Sequence, residues 1–379
     1  MTTWSVISFG SGLMMKERKQ QYVLTKARRD LAVWAASFFL SLYQWHHVVL
    51  FFGNYYLGIN VQAEQGILDG YPHWRVMQSH VLGPWLEKLL SLLFGFDLYR
   101  AHVIIAVAVL MLCSVVMFHA GRAIGGRQAG WSALLAFNVL FTLTISPPWL
   151  YIWDYFVLLA AAVFMLLMIQ RAPWWSFLLL MSVAFFNHDG ALFIGVWMVA
   201  KALADAWVER RRPDWMMLGG GVLGSLGGML LMEYLRARLL KGETGFGSGP
   251  PPTDPLKGYY YFHLQPQTQF YYLIIHPHVD LLLVLLLLPL VLTVALAVVL
   301  VVRHGMKAAP LAIYGVTMVA ALLVFAIISE TRTLLTLIPF LCLAGMLAAK
   351  PDWDTKPYRA KRDGACPAGS QFLGHMDSC

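Results

Sequence analysis

The 379-residue sequence predicts an all-α protein, a polytopic bundle of about ten transmembrane helices with both termini in the cytoplasm. Three observations carry that expectation. Hydrophobic residues make up 59% of the chain and charged residues 13%, against roughly 45–50% and 25% in soluble domains, and mean hydropathy is +0.63. Uncharged runs such as Leu281–Val302 are long enough as helices to cross roughly 30 Å of hydrocarbon. The charge also divides by side. With the N-terminus inside, the inner segments hold 20 Lys and Arg against 9 acids, and the outer ones 8 against 11. The net +8 therefore records membrane orientation, and no nucleic-acid partner is needed to explain it.

Taken in order, residues 1–31 read as a cytoplasmic amphipathic, basic arm, followed by a first span over 32–53 that acts as an uncleaved signal anchor. Residues 54–100 are expected to form an external loop. Within it, Val81–Phe96 carries Pro84, Glu87 and Lys88 on an otherwise apolar stretch too short to cross, and so predicts an interfacial helix. Spans follow near 101–119, 129–146 and 150–169. The stretch 174–203 is broken by Asn187-His188-Asp189-Gly190 and predicts two short helices meeting at that tetrad. Further spans fall near 215–235, 279–302, 308–328 and 332–349, all within one domain over 32–349. The glycines of 215–235, Gly219-Gly220-Gly221, Gly224 and Gly227-Gly228, permit close helix packing. The long external connection 236–278, Gly/Pro-rich and then aromatic, reads either as a lid or as a plain connector. Residues 350–379 form a cytoplasmic tail whose last stretch resembles a cloning remnant. Cys113 and Cys342 lie in apolar spans, Cys366 and Cys379 in the tail, with no disulfide framework or CxxC metal site.

The costly polar residues gather on the outer side. The first external loop supplies Glu64, Asp69, His73 and Arg75, and Ser146-Pro147-Pro148-Trp149 turns the chain at the same level. Asp154 follows one turn into a helix, His188 and Asp189 sit at the tip of the short helix pair, and Glu330 and Arg332 link the last two helices. Each has a structural alternative: Asp154 as an intramembrane ion partner, Asp69 as the turn residue of Asp-Gly, His188 as a cap, Glu330 and Arg332 as a loop ion pair. Convergence of several segments on one face favours a site.

Such a site suits a lipid-linked substrate whose phosphate lies at headgroup level. In glycosyl transfer a carboxylate deprotonates the acceptor while a cation steadies the departing phosphate. Asp69 is the expected base and Glu64 its nearest competitor. Arg332 is the first phosphate partner, since a guanidinium grips phosphate oxygens bidentately, with Arg75 and His73 next. Asp154, His188, Asp189 and Glu330 form the supporting set. No cofactor is demanded; a divalent metal held by Asp69, His188 or Asp189 is compatible with the residues.

The chain also resembles the GT-C superfamily of polyprenyl-phosphate-sugar-dependent membrane glycosyltransferases, and within it a group of bacterial integral membrane proteins. The resemblance rests on Tyr71-Pro72-His73-Trp74-Arg75-Val76 with Pro84, on Trp153-Asp154, and on Glu330-Thr331-Arg332 with Pro339. A family Asn-Arg-Glu-Thr helix tip is matched only loosely by Asn187-His188-Asp189-Gly190, so a permanent cation becomes one that titrates near neutrality. It implies a cell-envelope enzyme of the inner membrane, with its site facing the periplasm, a polyprenyl-phosphate sugar as donor and a glycan as acceptor. The rivals are a flippase or transporter of lipid-linked glycans, and a non-catalytic subunit of an envelope assembly. A transporter needs polar groups through the whole bilayer, whereas 279–302 and 308–328 carry almost none.

Overall fold

A computed structural model describes residues 7–73, 75–145, 150–242, 280–325 and 331–350. Among them all regular structure is helical: α1 (Ile7–Asp69), α2 (Leu82–Phe94), α3 (Leu98–Thr144), α4 (Ile152–Ile169), α5 (Trp174–Phe185), α6 (Leu192–Glu209), α7 (Trp215–Leu239), α8 (Asp280–His304), α9 (Ala309–Phe325) and α10 (Ile338–Ala349). Short 3-10 turns occupy Arg75–Ser79, Asp189–Ala191, Gly305–Lys307 and Thr331–Leu337. Six helical stretches are long and apolar enough to cross a membrane; α5 and α9 are apolar but shorter. The tail, the connection beyond Gly242 and the turn 146–149 lie outside the described residues.

Two of the long helices are folded back on themselves. In α3, Gly125 and Gly126 leave helical geometry, Gly126 at φ 81°, a backbone state that only glycine adopts without cost. Asn138 Nδ2 donates to Ser114 Oγ at 3.2 Å, although 24 residues of straight helix would hold them roughly 36 Å apart. The segments expected over 101–119 and 129–146 are thus the two legs of a hairpin. Gly121 and Gly130 line its seam, where a Cβ would meet Ala129 and Phe118 respectively. Gln44 joins from α1, its Nε2 donating to the Asn138 carbonyl at 2.8 Å and to its Oδ1 at 3.0 Å. Buried amides of this kind hold helices together where lipid offers no competing partner.

The second fold-back corrects the expected external loop. Residues 54–69 are helical, the second limb of α1 beyond a break at Gly53 (φ 63°, ψ 175°). Trp45 and Glu64 both meet His102, at 5.7 Å between rings and at 3.0 Å, which a straight helix of 19 residues could not achieve.

α2 forms where an interfacial helix was expected, with its polarity inverted. Glu87 is buried while Trp85, Leu89, Leu92 and Leu93 are exposed, so its apolar surface is turned outward, as befits a lipid-facing helix.

The centre of the bundle is aromatic. Tyr314 of α9 stacks on Phe164 of α4 at 4.4 Å, and Trp197 of α6 meets both Phe164 and Phe177 of α5. Glycines bring α7 close: a Cβ on Gly224 would strike Met181, and one on Gly228 the Phe185 ring.

Candidate functional site

The start of α4 organises the polar end of the bundle. Asp154 sits in its first turn, where a carboxylate satisfies an unpaired helix N–H and meets the positive end of the macrodipole. The Tyr151 N–H donates to Asp154 Oδ2 at 2.9 Å. The same carboxylate receives Arg332 Nη1 at 3.1 and 3.0 Å, and the guanidinium lies over the Tyr151 ring at 4.8 Å. The Arg332 side chain is 17% exposed, so this ion pair faces the surface without being immersed in it.

Beside it stands the α5–α6 tip. Asn187 Nδ2 donates to the Trp153 carbonyl at 2.8 Å, tying the tip to α4. His188 Nδ1 lies 2.9 Å from the Gly190 nitrogen and 2.7 Å from Asp189 Oδ1; unprotonated it accepts the Gly190 N–H as a cap, and protonated it donates to Asp189 instead. Burial works against an imidazolium at His188, but Asp189 outweighs it and raises the pKa. The neighbouring acid therefore favours the charged ring.

Two residues in this cluster were not anticipated. His80 stacks on His188 with ring centres 4.9 Å apart and reaches Trp153 at 5.4 Å. Neither of its ring nitrogens has a hydrogen-bond partner among the described residues. Burial, seconded by His188, lowers its pKa well below the usual histidine value, so one histidine of the stacked pair is neutral and the other favours charge. Arg236 near the end of α7 is buried to 1% exposure and pairs with Glu233 at 2.6 Å. A helical alternation of Arg236 and Arg238 at a span's end gives a sequence little reason to choose the inward member.

The remaining expected residues divide into two groups. Arg75 lies 3.9 Å from Glu233, and the Gly70 carbonyl accepts the Lys241 N–H at 2.7 Å, so the end of α1 and the 75–79 turn both dock on the end of α7. Asp69 is exposed there and accepts a hydrogen bond from Gln65 Nε2 at 2.8 Å. His73 is partly buried, which lowers its pKa. Glu330 and Trp74 lie outside the described residues.

Glu64 departs from its expected place as a loop carboxylate beside Asp69. It is fully buried on α1, with Oε2 3.0 Å from His102 Nδ1 and Oε1 accepting the Ile152 N–H at 3.0 Å. Glu87 Oε1 is also 3.0 Å from His102 Nδ1. Helical spacing separates the two carboxylates: Asp69 stands at the exposed end of the limb, while Glu64, five residues earlier, faces inward. Its burial gives an acceptor hydroxyl no access to it, in contrast to the exposed Asp69.

A narrow cleft of about 30 Å³ runs beside the tip, lined by Asn187, His188, Gly190, Tyr314, Met318 and Thr336 among apolar neighbours. Fold and site together define a polytopic helical membrane protein with an ionisable cluster at one end of its bundle. The chain matches no protein-family model and no curated protein.

Proposed function

We propose that the protein is a membrane glycosyltransferase of the GT-C type, with ten spans and cytoplasmic termini, using a polyprenyl-phosphate sugar at the non-cytoplasmic boundary. The observation that carries the reading is the Asp154–Arg332 pair at the start of α4, beside His188–Asp189 at the α5–α6 tip. Buried or half-buried ions of this sort are costly in lipid and mark functional sites. Asp154 aims the Arg332 guanidinium, whose planar array of five donors can grip a phosphate as well as a carboxylate. Arg75 supplies a second cation, and protonated His188 a third near the cleft that would receive the first isoprenoid carbons.

The chemistry then needs one base. Asp69 takes the acceptor hydroxyl proton as the acceptor oxygen bonds to the anomeric carbon, and the bond from that carbon to the phosphate oxygen breaks. Polyprenyl phosphate leaves with the electron pair, its charge held by Arg332. The exposure of Asp69 supports this role because an acceptor can reach it. The near absence of polar residues over 279–302 and 308–328 favours a one-sided reaction over a translocation path.

Purified protein in lipid nanodiscs, offered a panel of polyprenyl-phosphate sugars with radiolabelled transfer as the readout, tests the reading. Asp69→Asn should lower transfer by roughly 10²–10⁴, and Arg332→Gln should lower it comparably. Full transfer in Asp69→Asn removes Asp69 from the role. Absence of transfer by the wild type with every donor and extracted envelope acceptor overturns the enzymatic reading.

A further inference from the structure

The buried cluster of Glu64, Glu87 and His102 takes no part in the reaction described above, and its hydrogen bonding does not close on itself. His102 Nδ1 lies 3.0 Å from Glu64 Oε2 and 3.0 Å from Glu87 Oε1. That nitrogen carries at most one hydrogen, so it cannot serve both carboxylates fully. Glu87 Oε2 has no partner, although Glu87 is completely buried. Leaving carboxylate oxygens dry and unpaired is among the costliest arrangements a protein interior can hold.

We propose that Glu64, Glu87 and His102 bind a divalent first-row transition ion, of the zinc or manganese kind, as a staple joining α1, α2 and α3. One ligand atom from each residue lies within 4.8 Å of the others. An ion bound at about 2.1 Å to nitrogen and carboxylate oxygen places adjacent ligand atoms roughly 3.0 Å apart in an octahedron and 3.4 Å in a tetrahedron. The two N···O separations of 3.0 Å match the octahedral value, and the Glu64 and Glu87 ligand oxygens lie within 4.8 Å of each other. Two carboxylates neutralise a 2+ charge in this dry setting, and an imidazole ligand favours a transition ion over calcium or magnesium.

A second observation points the same way. A metal-bound histidine normally directs its other ring N–H to a partner that fixes its orientation. His102 Nε2 has none among the described residues, nor has Asn60 Oδ1 or the Tyr155 hydroxyl, and all three residues line one small cavity of about 10 Å³. That is close to the space a single water requires. A water there would accept from His102 Nε2–H and donate to Asn60 Oδ1, with Tyr155 as its third neighbour. Such a water would hold the ring so that Nδ1 presents its lone pair to the ion. Glu64 reaches onward through Oε1 to the Ile152 N–H, so the ion also steadies the start of α4.

The full-length chain, purified in detergent without chelator and desalted, is assayed for zinc, manganese and iron by plasma mass spectrometry. About one ion per chain is expected. Stripping with a strong chelator should lower the apparent Tm, and reloading with Zn²⁺ or Mn²⁺ alone should restore it. Glu87→Gln and His102→Gln should each lower bound metal at least tenfold, while His188→Gln, which removes a histidine of the other cluster, should retain it. If the wild type carries less than a tenth of an equivalent both as purified and after incubation with Zn²⁺ or Mn²⁺, the carboxylates share a proton instead and the proposal fails. It fails equally if Glu87→Gln keeps the full complement, which would place the ion elsewhere. Should the variants not fold, the wild-type stoichiometry and the chelator response decide.

Discussion

Removing the Asp154 carboxylate tests whether the ion pair on α4 is a positioning device within a packed end or an incidental surface contact. Asp154 is 8% exposed and receives both Arg332 Nη1 and the Tyr151 N–H. Breaking a buried pair by deleting one partner costs roughly 3–5 kcal/mol. Asn at this position keeps one oxygen for the Tyr151 N–H, and Arg332 retains some solvent, so about 2–3 kcal/mol is expected for Asp154→Asn. With an unfolding entropy of about 2.1 cal/mol/K per residue, a chain of this length converts that to a fall in Tm of roughly 2.5–4 °C. The buried Cys113 and Cys342 provide the assay: with Cys366 and Cys379 replaced by Ser, a thiol-reactive dye reports unfolding in detergent. Arg332→Gln should cost a similar amount, and the double variant clearly less than the sum of the two. Strict additivity, or an unchanged Tm in Asp154→Asn, would refute the reasoning.

The same assay checks three further expectations. Gly228→Ala places a Cβ 2.0 Å from the Phe185 ring and should cost about 1–3 kcal/mol by overpacking the α5–α7 seam, whereas Gly227→Ala meets nothing within 4 Å and should be neutral or stabilising by up to about 1 kcal/mol through helix propensity. Because His80 has a lowered pKa, the unfolded chain binds its proton first. Its contribution to stability is therefore present above about pH 6.5 and falls by about 1 kcal/mol on acidification to pH 5.5. In His80→Phe that part of the acid sensitivity should vanish, and an unaltered pH profile would argue against a neutral His80. The raised pKa of His188 acts in the opposite direction. Its contribution is present below about pH 6.5 and is lost as pH rises through the folded pKa, so the advantage of wild type over His188→Gln should shrink on going from pH 6 to pH 9.

Apolar length made the helices legible, and glycine and proline marked their breaks: Gly125-Gly126 as a hairpin turn, Asn187 to Gly190 as a helix-pair tip. Residues 54–69 were not legible as helix because Glu64, Gln65 and Asp69 among glycines read as polar loop. Their helical state depends on burying Glu64 against His102, a contact 38 residues away. For the same reason His102 stayed hidden, as one histidine in an apolar span, and Glu87 was placed on a wet face that α2 turns inward. The Asp154–Arg332 pair was anticipated as two polar residues on one side, but their bond joins positions 178 residues apart. Periodicity fixes which face a residue takes and gives no measure of which distant residue meets it.

The two buried polar groups are mechanically one. Adjacent amides at the head of α4 divide between them: the Tyr151 N–H goes to Asp154, paired with Arg332, and the Ile152 N–H goes to Glu64, within the Glu87–His102 cluster. A helix start has four N–H groups without intrahelical acceptors, and in lipid each must find one. Here carboxylates accept two of the four, one from the helix itself and one from α1. Any shift of Glu64 therefore moves Ile152, and with it the turn that carries Asp154 and aims Arg332. The core cluster thus steadies the backbone from which the Arg332 guanidinium is presented, and under the proposed reading that is a positioning demand that tolerates little displacement.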